Sequence, residues 1–163
     1  MRLDLVFKFK PINVNHAVVK GKYGVYKDAS TRAFESLMQT ALLIQKKQVR
    51  TFTDIVDEMR QSMGEIVFKA DLVVLNPNYY TQSNRLHMRS GDSDGFYKYV
   101  QDSVFNFIGI DDCYVKSSKQ MVIDYEQWGF IYKIEAIPDS KYKLSFQGHY
   151  DDFTGLLNAR YKT

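Results

Sequence analysis

Leu3, Leu5, Phe7 and Phe9 alternate with Asp4, Val6, Lys8 and Lys10, a period-two pattern that predicts a half-buried strand ended by Pro11. Asn13-Val14-Asn15 is turn chemistry, and residues 17–27 read as a short hairpin around Gly21 and Gly24. A helix follows, capped by Asp28 or Ser30, with Phe34, Leu37, Met38, Ala41 and Leu42 at helical spacing; it fades near Lys46-Lys47. Thr53, Ile55, Val56 and Met59 suggest a shorter helix. Residues 65–75 are strand-like and are closed by Asn76-Pro77-Asn78. After a polar, turn-rich stretch, Gly91-Asp92-Ser93-Asp94-Gly95 is a helix-start signature. That helix runs to about Phe107 and stops at Gly109. Strands are expected at roughly 114–125 and 129–137. The order is strand-rich with two principal helices, so the expected class is α+β. No linker or repeat divides the chain. One domain over 1–137 is expected, with 138–163 as a C-terminal extension packed on it.

Composition narrows the class. The chain has 163 residues, with 45% apolar and 25% charged positions, which are globular values. No apolar run approaches the roughly 18 residues a membrane helix needs, and no signal-peptide core opens the chain. The single cysteine, Cys113, forms no internal disulfide and is expected to be a small buried residue. No Cys/His cluster suits zinc, and a cytoplasmic protein is the expectation.

The net charge of +3 hides an asymmetry. Residues 1–50 carry net +7, residues 51–112 net −5 and residues 113–163 net +1. A basic lobe beside an acidic one suits a chain that attracts an anion and holds a cation.

The acidic segment carries the candidate chemistry. On a helical wheel at about 100° per residue, Asp94, Lys98 and Asp102 form one row, and Phe96, Val100, Val104 and Phe107 form an apolar stripe facing away. Asp92 and Asp94 stand at the helix N-terminus, where capping accounts for one of them. Asp111-Asp112 follows the helix end. A strand running back beside the helix would gather four carboxylates. Two carboxylates about 5 Å apart repel by roughly 3 kcal/mol at an effective dielectric near 20, so such a site needs a cation or raised pKa values. Oxygen donors alone suit Mg²⁺ or Mn²⁺. Lys98 is either an i,i+4 ion-pair partner or a cation beside a reacting phosphate. Arg85 and Arg89 are candidates for positioning a nucleic-acid backbone. A calcium loop is excluded by Phe96 and Ser103 at the fifth and twelfth positions. A glycosidase is disfavoured by the basic N-terminus and the single tryptophan, Trp128.

Gly91-Asp92-Ser93-Asp94-Gly95-Phe96-Tyr97-Lys98, then Asp102, then Ile110-Asp111-Asp112, resembles the signature of the RusA family of Holliday-junction resolvases. Its pattern is D-x-D-N-x-x-K, an Asp four residues on and a later D-D pair. Pro11-Ile12-Asn13-Val14-Asn15-His16 resembles the family's P-P-S-x-N-H opening, and residues 20–34 resemble its basic hairpin and first helix. The likeness covers roughly residues 3–137.

This resemblance implies a RusA-like fold, with a small mixed sheet and two principal helices. It implies a homodimeric, Mg²⁺-dependent endonuclease, with Mn²⁺ as a substitute, that resolves four-way DNA junctions by paired nicks. Asp92, Asp94 and Asp112 would be the essential metal-binding acids, Asp111 a further metal-site position and Lys98 the catalytic lysine. Asp102 would take a supporting role. Asn15, His16, Lys20, Lys22, Lys27, Arg85, Arg89, Lys116 and Lys119 are the candidate DNA contacts. The family is frequent in phages and prophages, which would make the compartment a host cytoplasm. Three departures stand out: Gly95 replaces the usual Asn, the basic run before Asp92 is thinned to Arg85 and Arg89, and the tail from Pro138 has no counterpart. The alternative is a non-catalytic DNA-binding or assembly protein on the same fold.

Overall fold

The computed structural model describes residues 1–12, 18–21, 24–80 and 93–145, with the backbone alone at 18–21, 24–26 and 93–95. Its order is β1 (Arg2–Phe7), β2 (Val18–Gly21), β3 (Gly24–Lys27), α1 (Ala29–Ile44), α2 (Lys46–Met63), β4 (Ile66–Asn76), α3 (Ser93–Ile108), β5 (Val115–Asp124) and β6 (Gly129–Pro138). Residues 139–145 are also helical. The expected hairpin is present as the antiparallel pair β2–β3, and the class is α+β.

The main sheet has the order β1-β6-β4-β5. β6 pairs antiparallel with both β1 and β4, whereas β4 and β5 run parallel, so the sheet is mixed. A parallel pair needs a crossover, and α3 lies within it.

Alternation divides the sheet into two faces. Leu3, Leu5 and Phe7 of β1 join Phe68, Ala70, Leu72 and Val74 of β4, and Phe130, Tyr132 and Ile134 of β6, in one buried cluster. The three helices cover this face. Phe34, Met38 and Leu42 come from α1, Val49, Phe52 and Val56 from α2, and Phe96, Val100, Val104 and Phe105 from α3. Phe7 stacks on Phe130 with centroids 4.4 Å apart, and Phe68 meets Phe105 edge-on at 5.7 Å.

α2 is a correction to the two-helix expectation. It is an 18-residue helix that starts one residue after α1 ends. No glycine or proline marks the junction; Gln45 makes it. Its side chain accepts the Val6 N–H at 3.1 Å and donates to the Val6 carbonyl at 3.1 Å. Gln48 donates to the Asp4 carbonyl at 2.7 Å. Two glutamines thereby satisfy outward-facing backbone groups of the edge strand β1. Asp28 is the cap of α1, accepting from the Ser30 N–H at 3.2 Å and from the Ser30 hydroxyl.

Candidate active site

α3 ends at Gly109, whose φ of 72° lies in the left-handed region that favours glycine. The Ile110 N–H closes back onto the Phe105 carbonyl at 3.2 Å, which caps the helix and turns the chain. Asp111 then accepts the Cys113 N–H at 2.8 Å and starts a single 3-10 turn, Asp112–Tyr114, that leads into β5. The turn presents Asp112 to the middle of α3, where Gln101 Nε2 donates to Asp112 Oδ2 at 3.0 Å.

Asp102, Asp111 and Asp112 share one open cavity of about 430 Å³, together with Asn106 and the Gly109–Ile110 turn. No lysine or arginine is among the described residues that line it. A neighbouring cavity of about 420 Å³ shares Asp111 and holds Arg60, whose guanidinium lies 5.9 Å from the Tyr114 ring centre. The backbone hydrogen bond from Cys113 holds the Asp111 carboxyl below its usual value, so it stays ionised. The hydrogen bond to Asp111 pushes the Cys113 thiol up. Cys113 is exposed, contrary to the expectation of burial, because it sits in the middle of a surface turn.

Behind Asp112 lies a buried phenol. Tyr132 is fully buried, and its hydroxyl lies beside that of Tyr97 without a well-formed hydrogen bond. Burial pushes its pKa well above the usual value; the neighbouring Tyr97 and the charges of Asp112 and Asp102 add to this. Gln101 Oε1 is likewise buried without a partner. The Tyr97 hydroxyl donates to the Ala70 carbonyl at 3.3 Å, and burial raises its pKa too.

The sequence-derived candidates divide into three groups. Asp111 and Asp112 come together with Asp102. Lys98 pairs with Asp102 at 3.5 Å on the outer side of α3. Asp94 stands seven residues before Gln101, on the same helix face and about 10 Å up the axis. The side chains of Asp94 and Lys20 lie outside the described residues, as do Asp92, Asn15, His16, Lys22, Arg85 and Arg89. Among the described residues, no three His, Cys, Asp or Glu side chains gather closely enough to hold a metal.

Other candidates are engaged elsewhere. Lys27 pairs with Glu35 at 2.5 Å. Lys116 Nζ donates to the Cys113 carbonyl at 2.9 Å, which ties it to the turn that carries Asp112. Lys119 belongs to the sheet face opposite the helices, in register with Asp71, so it is not part of the cavity. Sequence reasoning missed Gln101, Tyr132 and Arg60. For Gln101 a signal existed, since it falls about 20° from Asp94 on the helical wheel.

Among the described residues, no helix is long and apolar enough to cross a membrane. No family model matches the chain, and no curated protein matches it.

Proposed function

We propose that the chain is a divalent-metal-dependent endonuclease that resolves four-way DNA junctions by paired nicks, as a homodimer in the cytoplasm. The observation that carries this reading is Asp112, held by Gln101 in a cavity shared with Asp102 and Asp111, beneath the helix whose first turn bears Asp94. Carboxylates that share a cavity with no lining cation repel one another, and a bound cation relieves that repulsion.

The donors fit the ion, for they are oxygens with no thiolate or imidazole among them. By the sequence resemblance Asp92, Asp94 and Asp112 would hold it, and Asp111, which shares the cavity with Asp112, would be a further metal-site position. Mg²⁺ or Mn²⁺ bound there supplies a Lewis acid at the phosphate and a water of lowered pKa. The chain's own residues do the positioning. Gln101 fixes the plane of the Asp112 carboxylate. Lys98, exposed beside Asp102, would bring positive charge to the phosphate, where the leaving oxygen develops negative charge. The basic N-terminal third, net +7, attracts the DNA backbone.

The test uses a labelled four-way junction with and without Mg²⁺ or Mn²⁺, alongside Asp94→Asn and Asp112→Asn. Expected are metal-dependent, symmetric nicks that each substitution reduces by about 100-fold or more while junction binding persists. Junction binding by wild type without cutting in either metal would overturn the nuclease reading and favour a DNA-binding protein on this fold.

A further inference from the structure

The corner where α1 meets α2, beside the edge strand β1, combines an apolar hollow with unpaired positive charge. The residues on either side of Gln45 and the start of β1 line an open cavity of about 590 Å³. Its floor is apolar, from the buried Leu3 and Phe52, and so is its rim, from Met1 and Ile44. Ile44 is 81% exposed and Met1 43%. Leu37 lies seven residues before Ile44, about 20° from it around α1 and about 10 Å along the axis, and is half exposed. The apolar strip therefore continues along one flank of the helix. Lys46, Lys47 and Arg50 stand in the opening turns of α2, with no acid in its first turn. Lys47 lines the cavity. Arg50 reaches Asp54 at 4.0 Å, and among the described residues no ion pair engages Lys46 or Lys47. Arg2 and Asp4, also on the lining, neutralise each other at 2.7 Å.

We propose that this corner docks an acidic amphipathic helix of a partner protein, whose apolar side chains enter the cavity and the strip beyond it while its carboxylates face Lys46, Lys47 and Arg50. The carboxylates neutralise charge that the fold itself leaves unpaired. Apolar side chains at i, i+4 and i+7 of a helix span about 10 Å, which matches the separation of Leu37 and Ile44 along α1. Two other chemistries use positive charge and fit less well. A nucleic-acid backbone gains nothing from methionine, isoleucine and leucine beside the cations. A bilayer takes a projecting apolar surface, whereas this one is hollow. An added strand would have to displace Gln45 and Gln48 from the Val6 and Asp4 backbone groups, so the partner docks through side chains. The corner adjoins β1, and Asp112 leads into β5, the opposite edge of the sheet. The proposal therefore stands or falls apart from the nuclease reading.

The probe is a fluorescein-labelled helical peptide of glutamate and alanine with leucines at i, i+4 and i+7, read by fluorescence anisotropy against the full chain without metal or DNA. Binding is expected with a Kd on the order of 10 µM. Ile44→Asp and, separately, Lys47→Glu are each expected to weaken it about tenfold. Both side chains are exposed, so thermal melts of the two variants should match wild type. A peptide with lysine in place of glutamate is expected to bind only the triple variant Lys46→Glu, Lys47→Glu, Arg50→Glu, a rescue that folding defects cannot produce. No binding of the leucine–glutamate peptide at about 500 µM would overturn the proposal. So would equal binding of a peptide with alanine in place of leucine, which would reduce the corner to a patch of charge. Phosphatidylserine vesicles or duplex DNA captured by wild type and lost in Ile44→Asp, with the peptide unbound, would assign the corner to a membrane or to nucleic acid instead.

Discussion

Gln101 Nε2 stands 3.0 Å from Asp112 Oδ2, which joins the middle of α3 to the turn beyond its own end. The bond crosses eleven residues of chain and holds the turn to the helix. Gln101→Leu removes the donor and leaves the metal-site acids in place. Junction cleavage is expected to fall about 10–100-fold, the range for losing the partner of a ligating carboxylate. Single-turnover rates across a Mn²⁺ titration check this, and an unchanged rate would show that Asp112 needs no support from α3.

Tyr132 presents the opposite case, a buried hydroxyl whose contact with the Tyr97 hydroxyl falls short of a well-formed hydrogen bond. Tyr132→Phe deletes it while keeping the ring that packs 6.0 Å from Tyr97. The expected effect is a gain of up to about 1 kcal/mol, because a poorly satisfied buried polar group is removed. Urea denaturation measures it, and a loss of stability would mean that the hydroxyl is bonded in solution.

Gly129 opens β6 where a side chain has no room. A Cβ there would lie 2.8 Å from the Phe7 carbonyl oxygen and 3.4 Å from Leu75 Cδ1. The Phe7 oxygen is backbone in the paired strand β1, so the strands themselves must separate. Gly129→Ala is expected to destabilise the chain by about 1–3 kcal/mol, the usual cost of overpacking. The denaturation midpoint should fall with an unchanged slope.

Asp28 gives a pH signature. The Ser30 hydroxyl, followed by the Ala29 and Ser30 backbone N–H groups, lowers its folded pKa from 3.8. A depressed acid contributes stability that is present above its unfolded pKa and lost as pH falls through the folded value. The cap therefore holds at neutral pH and fades below about pH 4. Asp28→Ala should melt lower than wild type at pH 7, with the gap closing toward pH 2. A gap that persists at pH 2 would mean that ionisation of Asp28 contributes nothing.

The strands were plain in the sequence because their signals are local. Leu3, Leu5 and Phe7 alternate cleanly, the run at 66–76 is apolar apart from Lys69, Asp71 and its closing Asn76, and Gly109 ends α3 where its backbone requires a positive φ. α2 was less visible because only Val49, Phe52 and Val56 are buried on it, among many charged and polar residues. Its start depends on Gln45 bonding to β1, a contact 39 residues away that no local pattern encodes. The same holds at the site. The acids could be picked out by spacing, whereas the role of Gln101 depends on a turn folding back beneath its helix.

The amides of Gln45 and Gln48 also bear on how this chain behaves at high concentration. β1 is an edge strand with a Leu-Leu-Phe inner face, the sort of strand that recruits copies of itself into growing sheets. A side-chain amide occupies the same backbone groups that an incoming strand would need, yet it offers no new edge in return. The two glutamines thus terminate the sheet without lengthening it. Their value to the protein lies in resistance to aggregation, a property that a measurement of folding stability on dilute, soluble protein would miss.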